Sequence, residues 1–230
     1  MTTGGSTINY RLQIPMQTHN ISFPYQARYQ QLGELTDETK ELVYVIHGYG
    51  QLSQYFIRKF SKIVSPKRAV IAPEGLSRFY LAGFDGRVGA TWMTREDRET
   101  DIRNYITYLN AIHSVIKPQL KGGVKITAIG FSQGAATVTR WLMDGEIHAD
   151  RLILWAGILP FDLDLENASQ HLGELDRICV YGTKDPYLTD KKMDEMTDLA
   201  GRTNLSFTYL NFEGGHDIDQ ELLTGLFTDY

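Results

Sequence analysis

A serine at position 132 lies between two glycines in the segment Gly130-Phe131-Ser132-Gln133-Gly134. The residues before it, 124–131, form an apolar run typical of a buried strand, and residues 133–144 carry apolar side chains at helical spacing. A serine on a tight turn between a strand and a helix has a strained backbone, and glycines on both sides remove the clashes that larger residues would cause. The pattern therefore predicts a nucleophile whose hydroxyl projects above a sheet, beside the N-terminus of a helix.

An alkyl hydroxyl is a poor nucleophile near neutral pH, so it needs a base, and the base needs a carboxylate that orients it. In this strand–turn–helix setting the order along the chain is serine, then acid, then histidine. His216 lies in a glycine-rich turn after the apolar segment 205–212, and Asp185 follows the apolar segment 177–182. Asp217 is the alternative acid, but its place at the start of a helical segment makes Asp185 the better candidate.

A second glycine-rich turn, His47-Gly48-Tyr49-Gly50, follows the first fully apolar segment. Such a turn supplies a backbone donor for the negative oxygen that develops when a serine attacks a carbonyl group. The predicted oxyanion donors are the N–H groups of Tyr49 and of Gln133, the residue after the nucleophile. His47 is expected to brace this turn and not to act as a catalyst.

Strand-like and helix-like segments alternate along the chain and predict an α/β fold with a mostly parallel eight-stranded sheet and helices on both faces. The first two strands show apolar–polar alternation, which is typical of antiparallel strands at a sheet edge. Two long segments, 74–96 and 158–176, do not fit the alternation and are expected to line a site. The predicted strands are 7–14, 20–30, 42–47, 68–73, 124–131, 151–157, 177–182 and 205–212, and the predicted helices are 53–65, 97–116, 133–144, 189–200 and 217–228.

Composition excludes several classes of protein. The 230 residues include 23 Lys+Arg and 28 Asp+Glu, and the net charge of −5 argues against a nucleic-acid binder. The single cysteine, Cys179, excludes an internal disulfide and a thiolate-built zinc site. No apolar run approaches the roughly 20 residues of a membrane span, and no signal peptide is visible, so we expect a cytoplasmic protein. Residues 47–52 also lack the G-x-G-x-x-G turn of dinucleotide-binding proteins.

Four segments together resemble the small carboxylesterase/phospholipase family of α/β-hydrolases, which includes the acyl-protein thioesterases. The resemblance covers the chain from about residue 40 to its end, although the family usually has leucine where Tyr49 stands. It implies that Ser132, Asp185 and His216 form a catalytic triad and that Tyr49 and Gln133 form the oxyanion hole. The segments are VIHGYG (45–50), GFSQGA (130–135), YGTKDPYL (181–188) and GGHDI (214–218).

The expected activity is hydrolysis of carboxylic esters or thioesters by a serine enzyme that uses no metal and no organic cofactor. Segment 158–176 is too short for a cap domain, so residues 1–230 are predicted to form one domain with an open site. Trp92, Met93, Leu159 and Leu188 are expected to wall a pocket for short to medium acyl chains. A peptidase, a lactonase or a non-catalytic binding protein remains an alternative, and a homodimer is left open.

Overall fold

A computed structural model describes residues 15–228 of the chain. Nine strands lie within this range: β1 (Tyr29–Leu32), β2 (Glu41–Ile46), β3 (Arg68–Pro73), β4 (Ser77–Ala82), β5 (Asp85–Thr91), β6 (Lys125–Phe131), β7 (Arg151–Trp155), β8 (Asp176–Gly182) and β9 (Thr208–Phe212). The α-helices there are α1 (Ser53–Phe56), α2 (Arg98–Ile116), α3 (Gln133–Asp144), α4 (Leu165–Leu172), α5 (Asp190–Arg202) and α6 (Gln220–Gly225). Short 3₁₀ helices at Ile57–Ile63 and Lys117–Gln119 extend α1 and α2.

The main sheet has the strand order β1-β3-β2-β6-β7-β8-β9. Only β1 runs antiparallel to its neighbour, and the remaining pairs are parallel. The predicted α/β-hydrolase fold class is confirmed, but within the described residues the sheet has seven strands instead of eight. The predicted strand 7–14 lies outside the described residues.

The strand predicted over 20–30 is wrong for most of its length, because only Tyr29–Leu32 pairs with the sheet. Residues 15–28 form no strand. The apolar side chains whose alternation led to the prediction, Ile21 and Phe23, are 87% and 70% exposed. Alternation indicates a half-buried strand only where one set of side chains has a core to pack on, and these have none.

Both faces of the main sheet are covered by helices. Along the fully buried β2, Leu42, Tyr44 and Ile46 pack into a cluster with residues of α2 and α3, while Val43 and Val45 pack into a second cluster with residues of α1 and α6. Successive side chains of a strand point to opposite faces, so one strand contributes to both clusters. This explains why the parallel strands are near-continuous apolar runs.

The five predicted helices all have counterparts, although 53–65 is an α-helix followed by a 3₁₀ helix and 217–228 is helical only over Gln220–Gly225. Helix α4 was not predicted and lies inside the segment 158–176. None of the helices within residues 15–228 is both long and apolar enough to cross a membrane.

The predicted long loop 74–96 is largely a β-hairpin formed by β4 and β5, which pair with each other and not with the main sheet. The hairpin is joined to the turn after β2. The N–H of Gly50 donates to the carbonyl of Ala90 over 2.8 Å, and the N–H of Ala90 donates to the carbonyl of Gln51 over 3.1 Å. A side chain at Gly89 would come within 2.4 Å of the Gly50 carbonyl oxygen, so only glycine permits this approach.

Candidate active site

The predicted site residues all follow strands that end at the same edge of the sheet. His47 to Gly50 follow β2, Ser132 follows β6, Asp185 follows β8 and His216 follows β9. These four strands run parallel, so their carboxyl ends meet at one edge, which is where α/β folds place their ligand sites.

Ser132 occupies a strained turn between β6 and α3. Its φ of 55° and ψ of −117° place a non-glycine residue at positive φ. Backbone strain of this kind costs about 1–3 kcal/mol and persists only where the surroundings impose it. The Ser132 N–H donates to the carbonyl of Trp155 at the end of β7 over 2.9 Å, which ties the turn to the neighbouring strand.

Three glycines allow the chain to pack tightly around this turn. A Cβ atom at Gly130 would lie 2.3 Å from the carbonyl oxygen of Gly134, and one at Gly134 would lie 2.1 Å from the carbonyl oxygen of Ile46. A Cβ atom at Gly157 would lie 2.6 Å from the carbonyl oxygen of Ser132. The glycines that flank the serine in the sequence are therefore required by backbone atoms on both sides. Gly157 belongs to the same set, although sequence analysis did not single it out.

His216 and Asp185 are directly hydrogen-bonded. The His216 Nδ1 lies 2.7 Å from the Asp185 Oδ2, and the carboxylate is fully buried while the imidazole is 19% exposed. The other carboxylate oxygen, Oδ1, accepts from the N–H groups of Tyr187 at 2.8 Å and of Leu188 at 3.3 Å. An ionised carboxylate only accepts hydrogen bonds, so Nδ1 carries the proton and Nε2 is the free basic nitrogen.

The His216 ring is held between two aromatic side chains. Its centroid lies 4.9 Å from that of Phe131 and 4.8 Å from that of Tyr187. Phe131 immediately precedes Ser132, so this packing brings the imidazole to the serine turn. No hydrogen bond joins Ser132 to His216 within residues 15–228. Such bonds are often long before substrate binds.

The loop that carries His216 is anchored to β7 and β8. The Lys184 N–H donates to the carbonyl of Gly214 over 2.8 Å, and the Trp155 indole N–H donates to the carbonyl of Asp217 over 2.9 Å. A Cβ atom at Gly182 would lie 2.3 Å from the Gly214 carbonyl oxygen. Sequence analysis did not find these supports, although Trp155 and Gly182 are both recognisable as residues at the carboxyl ends of buried strands.

The turn after β2 leaves one backbone N–H unbonded beside the serine. The Gly48 N–H donates to the Gln51 Oε1 at 2.8 Å, and the Gly50 and Gln51 N–H groups donate to backbone carbonyls. Within the described residues, no group accepts from the N–H of Tyr49. A Cβ atom built on Gly48 would lie 3.1 Å from the Ser132 Cβ, which places this turn against Ser132.

Gln133 provides the second unbonded N–H, because it is the first residue of α3 and has no acceptor within the described part of the chain. Its side chain is fixed instead to the end of the hairpin. Its Oε1 accepts from the Thr91 hydroxyl at 3.1 Å and the Trp92 N–H at 3.2 Å, and its Nε2 donates to the Met93 carbonyl at 2.9 Å. The amide thus holds segment 91–93 beside Ser132.

His47 is buried beneath the turn and makes two hydrogen bonds with backbone groups. Its Nε2 accepts from the N–H of Gly75 at 2.9 Å, and its Nδ1 lies 2.7 Å from the Gly48 carbonyl, to which it donates in this tautomer. Burial lowers the pKa of His47 to about 4, so the ring is neutral near pH 7. These contacts fit a residue that braces the turn.

The four predicted pocket residues occupy different environments. Trp92 is 2% exposed and its indole N–H donates to the His47 carbonyl over 2.9 Å, while Leu159 is 1% exposed in the core. Met93 and Leu188 are half-buried. The Met93 carbonyl accepts from the Gln133 side chain, and the Leu188 N–H donates to the Asp185 carboxylate. Trp92 and Leu159 thus offer little surface to a substrate in this conformation.

The thiol of the single cysteine is inaccessible. Cys179 is fully buried inside β8, and burial raises the pKa of its thiol to about 12. Among residues 15–228, no three His, Cys, Asp or Glu side chains cluster as they would around a metal ion.

The family model described as Phospholipase/Carboxylesterase matches residues 29–227. No curated protein matches the chain in sequence.

Solved structures share the fold at low identity. The acyl-protein thioesterase 2 of Zea mays superposes with a TM-score of 0.67 at 17% identity, covering 88% of this chain and 97% of that one. For the Bacillus cereus carboxylesterase the TM-score is 0.62 at 16% identity, with 88% and 92% covered. A phospholipase/carboxylesterase of Dyadobacter fermentans gives 0.63 at 17% identity, with 91% and 99% covered.

Proposed function

Because this chain belongs to the phospholipase/carboxylesterase family, we propose that it is a serine hydrolase that cleaves carboxylic esters or thioesters of short to medium acyl chains. The observation that carries the proposal is the arrangement at the carboxyl edge of the sheet. A buried carboxylate orients His216, whose ring packs on the residue before Ser132. The N–H groups of Tyr49 and Gln133, which lie in the two turns beside Ser132, have no acceptor within residues 15–228.

In the first step, the Ser132 Oγ attacks the carbonyl carbon of the substrate while the His216 Nε2 takes the hydroxyl proton. The N–H groups of Tyr49 and Gln133 donate to the carbonyl oxygen as it becomes negative. They act without rearrangement, since the hydrogen bonds of Gly48 and of the Gln133 side chain already fix both segments.

Collapse of the tetrahedral intermediate breaks the bond to the leaving group, which takes the proton from His216. Water then attacks the acyl-enzyme, again with His216 as the base, and releases the acid and the free serine. Asp185 keeps the imidazole in the tautomer with a basic Nε2 and stabilises its protonated form. None of these steps requires a metal ion or an organic cofactor.

Met93 and Leu188 are the best candidates for the walls of the acyl pocket, because both retain exposed surface beside the site. Trp92 and Leu159 are buried and would support the pocket from the core. Trp92 does so by donating its indole N–H to the His47 carbonyl. Between β7 and β8 the chain forms only the short helix α4. This supports a single domain without a cap and an open site that suits short to medium acyl groups.

The remaining parts of the proposal concern the setting of the enzyme. We expect a cytoplasmic enzyme that acts on small-molecule esters or thioesters and binds no nucleic acid, in keeping with its net charge of −5.

A peptidase or a lactonase would use the same three side chains, and a binding protein would use the fold without the chemistry. Two parallel measurements separate a serine hydrolase from a binding protein: hydrolysis of p-nitrophenyl esters of increasing acyl length, and labelling by a fluorophosphonate. Comparing kcat/KM for matched ester, lactone and peptide substrates then separates the three kinds of hydrolase. We expect ester turnover and stoichiometric labelling in the wild type, and the loss of both in Ser132→Ala. If the purified protein cleaves no ester and resists labelling, the proposed nucleophile is wrong.

A further inference from the structure

A groove of about 800 Å³ lies beside the turn that carries Tyr49. One wall comes from Gly50, Gln51 and the start of α1, and the opposite wall comes from Gly86, Arg87 and Val88 of the hairpin. The groove is large enough for a small organic group. None of the proposed catalytic steps uses this groove.

Two residues that line the groove are bonded to neighbours of the candidate catalytic residues. At one end, Gln51 holds the N–H of Gly48, which packs against Ser132. Lys59 also lines the groove, and its Nζ lies 2.6 Å from the carboxylate of Asp217, the residue after His216. In acyl transfer the leaving group departs toward the histidine that protonates it, and Lys59 connects this groove to the loop that carries His216.

The groove is positively charged in a protein that is acidic as a whole. Lys59 and Arg87 line it, and no aspartate or glutamate of the described chain does so. Asp217 partly neutralises Lys59, whereas no carboxylate within residues 15–228 pairs with Arg87. Arg58 lies close by, with its guanidinium over the ring of the groove residue Tyr55 at 5.4 Å.

We propose that this groove binds the leaving group and selects esters or thioesters whose alcohol or thiol carries a carboxylate or phosphate. Arg87 is the specificity-determining residue, because an arginine pairs with the oxygens of either group in a bidentate geometry. This inference rests on the proposed function and concerns the same site.

The chemistry requires no further reactant. Ser132 Oγ forms a bond to the acyl carbon, the carbon–sulfur or carbon–oxygen bond breaks, and the serine proton passes through His216 to the departing atom. The anionic part of the leaving group stays unchanged in the groove. Arg87 therefore acts only on acylation, since the leaving group has departed before water attacks.

The test compares three thioesters with one common acyl chain. Their leaving groups are 3-mercaptopropionate, the neutral amide 3-mercaptopropanamide and 2-mercaptoethyl phosphate. We expect wild-type kcat/KM to be roughly tenfold higher for both anionic substrates than for the amide, which corresponds to one charge-assisted hydrogen bond. A preference for only one of them identifies that anion as the ligand.

The variant Arg87→Gln should lose this preference while its kcat/KM for the amide stays within about threefold of wild type. Arg87→Lys should retain part of it. Because all three substrates give the same acyl-enzyme, the deacylation rate measured in single turnover should be unchanged in Arg87→Gln, which a general structural defect would not allow. Lys117→Gln is the matched control, since it removes an exposed cation at the far end of α2.

Equal kcat/KM values for the three thioesters in the wild type overturn the inference, and so does a preference that survives in Arg87→Gln. If Arg87→Gln instead changes the dependence on acyl length, the groove holds the acyl chain and the inference is also wrong. In each of these cases the proposed function is still supported if hydrolysis is lost in Ser132→Ala. Absence of hydrolysis of every thioester and ester would refute the proposed function itself.

Discussion

Replacing Asp185 by asparagine tests how the site fixes the protonation of its base. The two oxygens of Asp185 have different partners: Oδ1 accepts from the N–H groups of Tyr187 and Leu188, and Oδ2 lies 2.7 Å from the His216 Nδ1. In Asp185→Asn the amide oxygen will take the Oδ1 position, because the NH₂ group cannot accept from two N–H donors. The NH₂ group then faces His216.

This orientation reverses the tautomer of the histidine. An NH₂ group donates, so the His216 Nδ1 must become the acceptor and Nε2 must carry the proton. A protonated Nε2 cannot take the proton of Ser132. The same substitution in the Ser-His-Asp triad of a serine protease lowers kcat by about 10⁴-fold, or about 5.5 kcal/mol of transition-state stabilisation. We expect a loss of that order here, with the fold retained, because the buried amide keeps its hydrogen bonds.

The assay is p-nitrophenyl ester turnover, with active-site titration to correct for the competent fraction and thermal unfolding to confirm the fold. Asp217→Asn is the matched comparison, because Asp217 is adjacent to His216 but contacts Lys59 and its own chain neighbour Ile218. It should change kcat by no more than about fivefold. A near-wild-type rate for Asp185→Asn, or a collapse of activity in Asp217→Asn, would refute this assignment of the acid.

Three further predictions concern Gln133, His47 and Cys179. Gln133→Ala removes three hydrogen bonds to segment 91–93 and leaves a buried N–H unpaired, so we expect about 1–3 kcal/mol lower unfolding free energy in urea titration and roughly tenfold lower kcat. Burial lowers the pKa of His47 from 6.5 to about 4, so the unfolded chain binds the proton more readily. The lowered pKa of His47 therefore contributes up to about 3 kcal/mol to the free energy of unfolding above pH 6.5, and this contribution is lost as the pH falls toward about 4. The difference in unfolding free energy between wild type and His47→Gln should decrease over the same pH range. Cys179 is fully buried and its thiol has a pKa raised to about 12, so iodoacetamide should leave native activity and mass unchanged. Rapid alkylation with loss of activity would contradict this burial.

The gathering of the candidate site residues at one edge of the sheet could be predicted from the topology. Parallel strands joined by helices all end at one edge, so any reactive residue that follows a buried strand is a candidate neighbour of any other. Ser132, Asp185 and His216 each follow such a strand, and the apolar runs that identify the strands are long. The glycines around Ser132 were recognisable for the same reason, since a strand that turns at once into a helix leaves no room for side chains.

Contacts between distant loops could not be predicted from local pattern. Gly182 is glycine because the Gly214 carbonyl approaches it from another loop, and a single sequence does not indicate that approach. The hairpin at 77–91 was missed because its glycines are typical of an irregular loop, whereas its pairing depends on the turn after β2. For residues 20–28 the local pattern wrongly predicted a strand. Their apolar–polar alternation is typical of a strand, but no core packs against them.

The attachment of the hairpin makes it a replaceable part of the enzyme. The Gly50 N–H donates to the Ala90 carbonyl and the Ala90 N–H donates to the Gln51 carbonyl, which fixes the base of the hairpin to the turn after β2. These hydrogen bonds do not depend on side chains. At its tip, Cβ atoms added to Gly83 and Gly86 would meet nothing within 4 Å. Both glycines have positive φ, 62° and 86°, so a larger residue at either position would strain the backbone. Sequence and length changes that keep glycine at such positions should therefore be tolerated while the turn after β2 stays in place. A library of hairpin tips grafted between the same two anchor points is thus a direct route to enzymes with altered substrate range and unaltered chemistry.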